Sequence, residues 1–241
     1  MNFGVIAAGE GSRLLQEGVK VPKPLVKIGG EPLVDRLLRI FTASEPANTV
    51  VICNDLHEET IRHLRQYAAK NALQTMPFQL VVKTTPSSMH SLYAISSYLT
   101  GDIFCVTTVD TVFQEERFTA YVDVLKECVS NGYDGLMGVT DYIDDEKPLY
   151  VETDTDMNIV SFLDSPPPSC QYVSAGIYGL TPKSLAVLRD CIARGDQRMR
   201  NYQRALLRAG LRLKAYPMGK VMDIDHLTDI EKAENFLADG E

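Results

Sequence analysis

The strongest indication of the fold is the stretch Phe3–Arg13, which has the sequence Phe-Gly-Val-Ile-Ala-Ala-Gly-Glu-Gly-Ser-Arg. The apolar run Phe3–Ala7 is typical of a buried strand. The small residues after it let the backbone approach a ligand, and successive N–H groups in such a loop bind phosphate oxygens. We therefore expect nucleotide contacts from Ala7, Ala8, Gly9, Gly11 and Ser12.

Two cations follow the glycines. Arg13 ends the loop, and Lys23 lies between two prolines in Pro22–Pro24. Arginine binds phosphate through two parallel hydrogen bonds, whereas lysine acts as a point charge. We expect both side chains to face a triphosphate and to act in the reaction.

Two better-known phosphate loops are excluded. A P-loop requires Gly-Lys-Ser/Thr, but Gly11 is followed by Ser12 and Arg13. A dinucleotide fingerprint requires a third glycine where this chain has Leu14. A Rossmann oxidoreductase is therefore disfavoured.

Apolar runs alternate with helical spacing up to Tyr133. This order predicts an α/β fold with a doubly wound, mostly parallel mixed sheet. The predicted strands are Phe3–Ala7, Thr49–Cys53, Leu80–Lys83 and Ile103–Val109, and the predicted helices are Leu33–Ala43, Glu58–Ala69, Ser88–Leu99 and one with Phe118, Val122, Leu125 and Val129 on one face.

Strands dominate after Tyr133. We expect a single domain over residues 1–241, with a nucleotide-binding part (1–133) and a strand-rich acceptor-binding lobe (134–241). The predicted strands here are Leu136–Thr140, Tyr150–Thr153, Ile159–Leu163, Val173–Leu180 and Leu211–Tyr216, and the predicted helices are Ser184–Ala193, Tyr202–Ala209 and Thr228–Leu237.

Composition limits the class of protein. The net charge is 24 − 32 = −8, which argues against nucleic acid or an anionic membrane as the main partner. The five cysteines form no Cys-x-x-Cys motif, so we expect reduced thiols in the cytoplasm and no zinc site. We expect neither a signal peptide nor a membrane span, because no long apolar run occurs.

Together, the glycine pair, Arg13 and Pro22–Leu25 resemble the signature of the nucleotidyltransferase superfamily. That family includes sugar-phosphate nucleotidyltransferases (NDP-sugar pyrophosphorylases) and bacterial phosphocholine cytidylyltransferases. The resemblance covers nearly the whole chain. It implies a Rossmann-like fold and Mg²⁺-dependent transfer from a nucleoside triphosphate to a phosphorylated small molecule, with pyrophosphate released.

The resemblance also implies a metal site. Asp110 follows an apolar strand where the family has its metal aspartate, and carboxylates suit Mg²⁺. The segment Met222–Asp229 resembles the family's Asp-Ile-Asp/Gly-Thr-Pro-Glu-Asp-Leu segment. It implies Asp223 or Asp225 as the second metal ligand, because branches of the family differ in which one they use.

Two further segments match the family. Ser174–Tyr178 resembles the strand that lines the acceptor pocket, which implies that Gly176 and Tyr178 contact the acceptor. Ser91 belongs to a helix start that faces the nucleotide in the family. Ser87 stands there in place of the asparagine of the phosphocholine branch, and it is also a natural helix N-cap.

The acceptor stays open. Many sugar-1-phosphate members have Glu-Lys-Pro where this chain has Asp164-Ser165-Pro166. A sugar phosphate is the leading candidate for the acceptor, and phosphocholine or a similar phospho-aminoalcohol is the alternative. Its cation would face Tyr142, Tyr150, Tyr172, Asp141, Asp144 and Asp145. A catalytically inactive nucleotide-binding regulatory subunit is the alternative of another class. The nucleobase and a homo-oligomer also stay open.

Overall fold

The computed structural model describes residues 1–70, 77–168 and 170–238. Within that part of the chain the strands are β1 (Asn2–Ala7), β2 (Lys27–Ile28), β3 (Glu31–Pro32), β4 (Asn48–Cys53), β5 (Phe78–Val82), β6 (Phe104–Thr108), β7 (Thr111–Val112), β8 (Gly135–Thr140), β9 (Tyr150–Thr153), β10 (Ile159–Leu163), β11 (Tyr172–Leu180), β12 (Leu213–Pro217) and β13 (Met222–Asp223). The α-helices are α1 (Ser12–Gln16), α2 (Leu33–Thr42), α3 (Glu58–Lys70), α4 (Ser88–Ile95), α5 (Glu115–Ser130), α6 (Lys183–Arg194), α7 (Met199–Arg208) and α8 (Leu227–Ala238).

A large mixed sheet organises the chain. Its main path runs β10-β9-β11-β6-β1-β4-β5, with β8 paired to β11 and β12 paired to β8. Strand β1 lies between β4 and β6 and is parallel to both, and β5 extends this parallel part. Strand β11 runs antiparallel to β6, β8 and β9. The predicted doubly wound α/β fold with a strand-rich second half is confirmed.

Helices cover both faces of the sheet, and β1 therefore buries side chains on both of its faces. Phe3, Val5 and Ala7 belong to a core formed with α2, α3, α5 and α8. Ile6 belongs to the opposite core, formed with α4, α6 and α7. Gly4 brings α4 close, since an added Cβ atom would lie 3.1 Å from the Ile95 Cδ1 atom. Burial on both faces explains the uninterrupted apolar run.

An aromatic cluster joins β1 to α2 and α5. The Phe118 ring of α5 lies 6.2 Å from the Phe3 ring and 5.4 Å from the Phe41 ring, centroid to centroid. It lies 5.1 Å from the Phe113 ring and 5.8 Å from the Tyr121 ring. All five side chains are buried. Phe118 is therefore the centre of the packing beneath the first strand.

Several boundaries differ from the predictions. Helix α4 ends at Ile95 and continues as a 3-10 turn. Helix α7 begins at Met199, three residues before the predicted start at Tyr202. Strand β12 begins at Leu213 because the Leu211 N–H still bonds the Leu206 carbonyl at the helix end. Local periodicity does not show such end effects.

Four short strands and α1 were not predicted. Strands β2 and β3 form a small hairpin, and β7 pairs antiparallel with β13. Two residues are too few to show the alternation that marks a strand. Among the described helices, none has both the length and the apolar character that a bilayer span requires. The single-domain organisation stays a prediction.

A tight glycine contact fixes the start of α1. Gly11 has φ = 63°, in the left-handed region that favours glycine. A Cβ atom added to Gly11 would lie 3.0 Å from the Lys23 Cβ atom. Lys23 itself begins a 3-10 turn in which the Leu25 N–H bonds the Pro22 carbonyl at 2.8 Å. Gly11 therefore lets the glycine loop pack directly against the Lys23 segment.

We expect Phe118→Ala to lower the free energy of unfolding by about 3–5 kcal/mol, because the substitution leaves a cavity among four rings. Chemical denaturation measures this. The control Leu56→Ala changes a side chain that is 74% exposed, and it should cost less than about 0.5 kcal/mol. Equal effects of the two substitutions would contradict the packing described.

We expect Gly11→Ala to cost about 1–2 kcal/mol of stability from the left-handed backbone alone. The contact with Lys23 adds to this cost. Gly9→Ala is the matched control, because an added Cβ atom at Gly9 meets nothing within 4 Å. Thermal unfolding without ligand measures both variants. A Gly11 variant as stable as the Gly9 variant would refute the proposed strain.

Candidate active site

A cavity of about 520 Å³ opens at the carboxyl ends of the parallel strands. Ligands bind at this edge in open α/β sheets. The loop after β1 forms one wall, and the start of α4 forms another. Predicted site residues that line this cavity are Ala7, Ala8, Gly9, Gly11, Ser12, Arg13, Lys23, Ser91, Asp110 and Asp225.

The largely buried Lys23 side chain lines this cavity. Its Nζ atom is 2.5 Å from Asp110 Oδ2 and 2.7 Å from Asp225 Oδ1. Arg13 Nη1 lies 2.8 Å from the other Asp225 oxygen, Oδ2. Burial opposes the charge on Lys23, but Asp110 and Asp225 raise its pKa above the usual value. Lys23 therefore stays protonated and links segments far apart in sequence.

Strand pairing brings Asp223 beside Asp110. Thr111 and Asp223 are partners in the β7–β13 pair, and the Ile224 N–H bonds the Asp110 carbonyl at 3.1 Å. Thr111 Oγ1 donates to Asp223 Oδ1 at 3.3 Å. This pairing holds Asp110 and Asp223 close together, although 223 − 110 = 113 positions separate them along the chain.

The two carboxylates differ in charge environment. Burial opposes ionisation of Asp110, but the charge of Lys23 lowers the Asp110 pKa below its usual value. Asp223 faces an open cavity, yet the protein atoms around it, and then the Asp110 charge, raise its pKa to about 7. Asp110 is thus paired with Lys23, whereas Asp223 forms no ion pair among the described residues.

A second cavity of about 270 Å³ adjoins the first. Arg13 and Asp225 line both cavities, whereas Asp110 lines the first and Asp223 the second. These residues together with Lys23 form a charged centre, which lies at the junction of the two cavities. The first cavity has room for a larger ligand than the second.

Gly176 and Tyr178 lie behind the wall of the second cavity. The wall itself is formed by their neighbours Ser174 and Ala175. Gly176 has φ = 71° in a bulge of β11, and a Cβ atom there would lie 2.8 Å from Thr111 Oγ1. Tyr178 is buried in the core. Their assignment as acceptor contacts stays a prediction, and Gly176 makes room for the threonine that bonds Asp223.

The start of α4 faces the first cavity. Ser87 caps the helix by accepting a hydrogen bond from the His90 N–H. Ser91 lines the cavity, and its hydroxyl lies 2.6 Å from the Thr85 hydroxyl. The N-cap interpretation of Ser87 is confirmed, and Ser91 as a nucleotide contact stays a prediction.

Two carboxylates that were not predicted hold the start of α8. Glu17 accepts hydrogen bonds from His226 Nδ1 and the Leu227 N–H, both at 2.6 Å. Asp229 accepts from the N–H groups of Asp225 (3.1 Å) and His226 (2.8 Å). The position of Asp229 in the first helical turn was a usable signal. Glu17 carried none, because its partners lie about 210 residues away.

The carboxylates suit a magnesium ion completed by substrate. Within the described ranges, no group of three His, Cys, Asp or Glu side chains is arranged to hold a metal. Mg²⁺ is usually bound by one or two carboxylates together with phosphate oxygens and water. Asp110 and one neighbouring aspartate provide such a donor set. Magnesium itself stays a proposal.

The chain is similar to parts of two characterised proteins. It is 25% identical over 135 residues to the bifunctional protein GlmU of Thermodesulfovibrio yellowstonii, covering 56% of this chain and 27% of that protein. It is 28% identical over 161 residues to the CMP-5'-(3-aminopropyl)phosphonate synthase of Streptomyces rubellomurinus, covering 59% and 24%. The alignments thus span about a quarter of the length of each relative.

Solved structures share the fold. The inositol-1-phosphate CTP transferase from T. maritima superposes with a TM-score of 0.77 at 17% identity, covering 99% of this chain and 96% of that one. A candidate glucose-1-phosphate thymidylyltransferase from Bacillus anthracis gives a TM-score of 0.82 at 18% identity, with the same coverage. At these identities the likeness shows the fold alone.

A family model described as nucleotidyl transferase matches residues 4–240, nearly the whole chain. The match includes the glycine loop, the Lys23 segment and all three aspartates of the charged centre. The chain therefore belongs to the nucleotidyl transferase family.

Proposed function

We propose that this chain transfers a nucleotidyl group from a nucleoside triphosphate to the phosphate of a small acceptor and releases pyrophosphate. One observation carries the proposal: two cavities meet at Arg13 and Asp225, with Asp110 on one side and Asp223 on the other. A reaction that joins two phosphorylated molecules needs such a junction. Family membership supports the same chemistry.

The nucleotide would occupy the larger cavity. Backbone N–H groups of the Gly9–Ser12 loop would bind phosphate oxygens, because successive N–H groups in such a loop form an anion-binding concavity. Ser91 would lie towards the nucleoside end. The phosphates would then point at Lys23 and Arg13.

Catalysis would depend on charge and alignment. The acceptor phosphate is already ionised near neutral pH, so no side chain has to remove a proton. Arg13 and Lys23 would offset the charge that develops on the leaving pyrophosphate. Bound Mg²⁺, held by Asp110 and a second aspartate, would supply neutralisation and alignment of the reacting phosphates. The folded protein would hold each of these side chains in position before the substrates bind.

A purely regulatory role is less well supported. A nucleotide-binding subunit without activity has no need for carboxylates at the acceptor side of the junction. Asp223 nevertheless faces the second cavity beside Asp110. The complete charged set favours an active enzyme.

The acceptor has two candidates. A sugar phosphate leads because the resemblance to sugar-phosphate nucleotidyltransferases is strong. The lysine expected at Ser165 is absent, and Ser165 lines a neighbouring groove. Asp164 in that groove pairs with Arg200 at 2.6 Å and Arg204 at 2.8 Å. Lys147 and Arg198 also line this groove, so the acceptor phosphate would have to be bound by a cation other than the lysine that the family often has at position 165.

An acceptor that carries an ammonium group is the second candidate. Asp144, Asp145 and Glu146 line the outer part of the second cavity together with Tyr142. Lys232 neutralises Asp144 at 3.1 Å. The remaining carboxylates would attract a cation, and the S. rubellomurinus relative is named for a product that contains an aminopropylphosphonate. Of the other residues predicted to surround such a cation, Tyr150 lines the neighbouring groove.

We expect Asp110→Asn and Lys23→Ala each to lower pyrophosphate release about 100-fold or more, equivalent to about 3 kcal/mol of transition-state stabilisation. The assay combines each of four nucleoside triphosphates with sugar phosphates, phosphocholine and an aminoalkylphosphonate. The exposed Asp102→Asn is the charge-matched control and should retain parental rates. Near-normal turnover in both site variants would reject the proposed function.

For an ammonium-bearing acceptor, we expect Asp145→Asn to raise the acceptor KM about fivefold and leave the nucleotide KM unchanged, because one exposed charge pair contributes about 1 kcal/mol. Asp156→Asn, in an exposed turn outside both cavities, is the control. Turnover restricted to sugar phosphates would reject this second candidate and retain the first.

A further inference from the structure

The sequence allows either Asp223 or Asp225 to bind a metal ion together with Asp110, but the contacts of these two side chains differ. Both oxygens of Asp225 already bind cations: Oδ1 binds Lys23 at 2.7 Å, and Oδ2 binds Arg13 at 2.8 Å. Among the described residues, Asp223 lies within 4 Å of no lysine, arginine or histidine nitrogen, and it accepts a hydrogen bond from Thr111. Only one of the two carboxylates is therefore free to take a new cation.

We propose that Asp225 positions Lys23 and Arg13 at the junction of the two cavities, and that it is not a metal ligand. The inference rests on the proposed function. Mg²⁺ requires oxygen ligands at about 2.0–2.1 Å. A dication that close to Asp225 would stand against two positive side chains that already occupy both of its oxygens. Asp110 differs from Asp225 in that an ion pair with a cationic side chain is made by only one of its oxygens, Oδ2, in the described part of the chain.

Hydrogen bonds to two carboxylates hold the backbone around Asp225. Its N–H group bonds the Asp229 carboxylate at 3.1 Å, and the next N–H group bonds the same oxygen at 2.8 Å. Glu17 holds the following residue, Leu227, through its N–H group. A carboxylate fixed in this way can orient two cations before substrate arrives, and such preorganisation is what charge stabilisation requires.

Arg13 depends on Asp225 for its orientation more than Lys23 does. Its side chain is 50% exposed, and its other ionic contact, with Glu146, is longer at 3.8 Å. Without Asp225, the guanidinium group would sample several orientations between the cavities. Lys23 would lose one of its two carboxylate partners and become more accessible. Asp225 would thus act on the reaction through these two cations.

The test compares Asp225→Asn with Asp223→Asn in two measurements that need no substrate. Electron paramagnetic resonance measures binding of Mn²⁺ alone. We expect Asp223→Asn to weaken Mn²⁺ binding at least about tenfold, as loss of a metal-site residue typically does, and Asp225→Asn to change it less than about threefold. Equal losses in the two variants would overturn the proposal.

The second measurement is the rate at which acetic anhydride labels Lys23, followed by mass spectrometry. We expect Asp225→Asn to speed labelling about fivefold, because it removes an ion pair that protects the amine, and Asp223→Asn to leave the rate near that of the parent. Unchanged labelling in Asp225→Asn would overturn the proposal. If the asparagine variant does not fold, Asp225→Ala replaces it in both measurements.

Activity separates this inference from the proposed function. In an active parent, Asp225→Asn should lower kcat without raising the Mg²⁺ concentration that gives half-maximal rate, whereas Asp223→Asn should raise that concentration. A raised Mg²⁺ requirement in Asp225→Asn would overturn the inference. A parent inactive with every substrate pair would reject the proposed function, while Mn²⁺ binding and Lys23 labelling would still decide the role of Asp225.

Discussion

The ammonium group of Lys23, bound between Asp110 and Asp225, is the interaction on which the site depends. It joins the Pro22–Pro24 segment to the loop after β6 and to the segment before α8. Without Lys23, Asp110 would lose its ion pair and Asp225 would keep only Arg13. Because Gly11 packs directly against Lys23, the same contact also places the phosphate loop. Loop, lysine and carboxylates therefore form one unit.

The sheet determines where the glycine loop, Lys23 and the carboxylates lie in the molecule. Strand β1 lies at the centre of the parallel part, and its carboxyl end opens into the larger cavity. The antiparallel strands β8, β9 and β11 extend the sheet on one side and bring Ser174 and Ala175 to the smaller cavity. A parallel half and an antiparallel half thus each provide one ligand space. The charged centre lies where the two halves meet.

Much of this arrangement was predictable. The apolar run Phe3–Ala7 and the β-α alternation predicted the doubly wound fold, because burial on both faces leaves a strong local signal. The glycine loop and Lys23 were identified from motif and spacing, and Asp110 from the resemblance to the family; the structure brings all of them to one cavity. Short pairings such as β7–β13 were not predictable. Two-residue strands have no period, and their partners lie more than a hundred residues apart.

The sequence by itself determined the family, the fold class and the chemical types of group at the site, because these depend on local periodicity and on motifs of adjacent residues. Only the tertiary structure decided which groups meet. In the part of the chain that the structure describes, Asp223 pairs with no cationic side chain, whereas both oxygens of Asp225 bind cations, Lys23 and Arg13. The tertiary structure also placed Gly176 behind the cavity wall and brought Glu17 to the start of α8. The physical reason is that charge pairing acts through space, so its partners cannot be identified from their order along the chain.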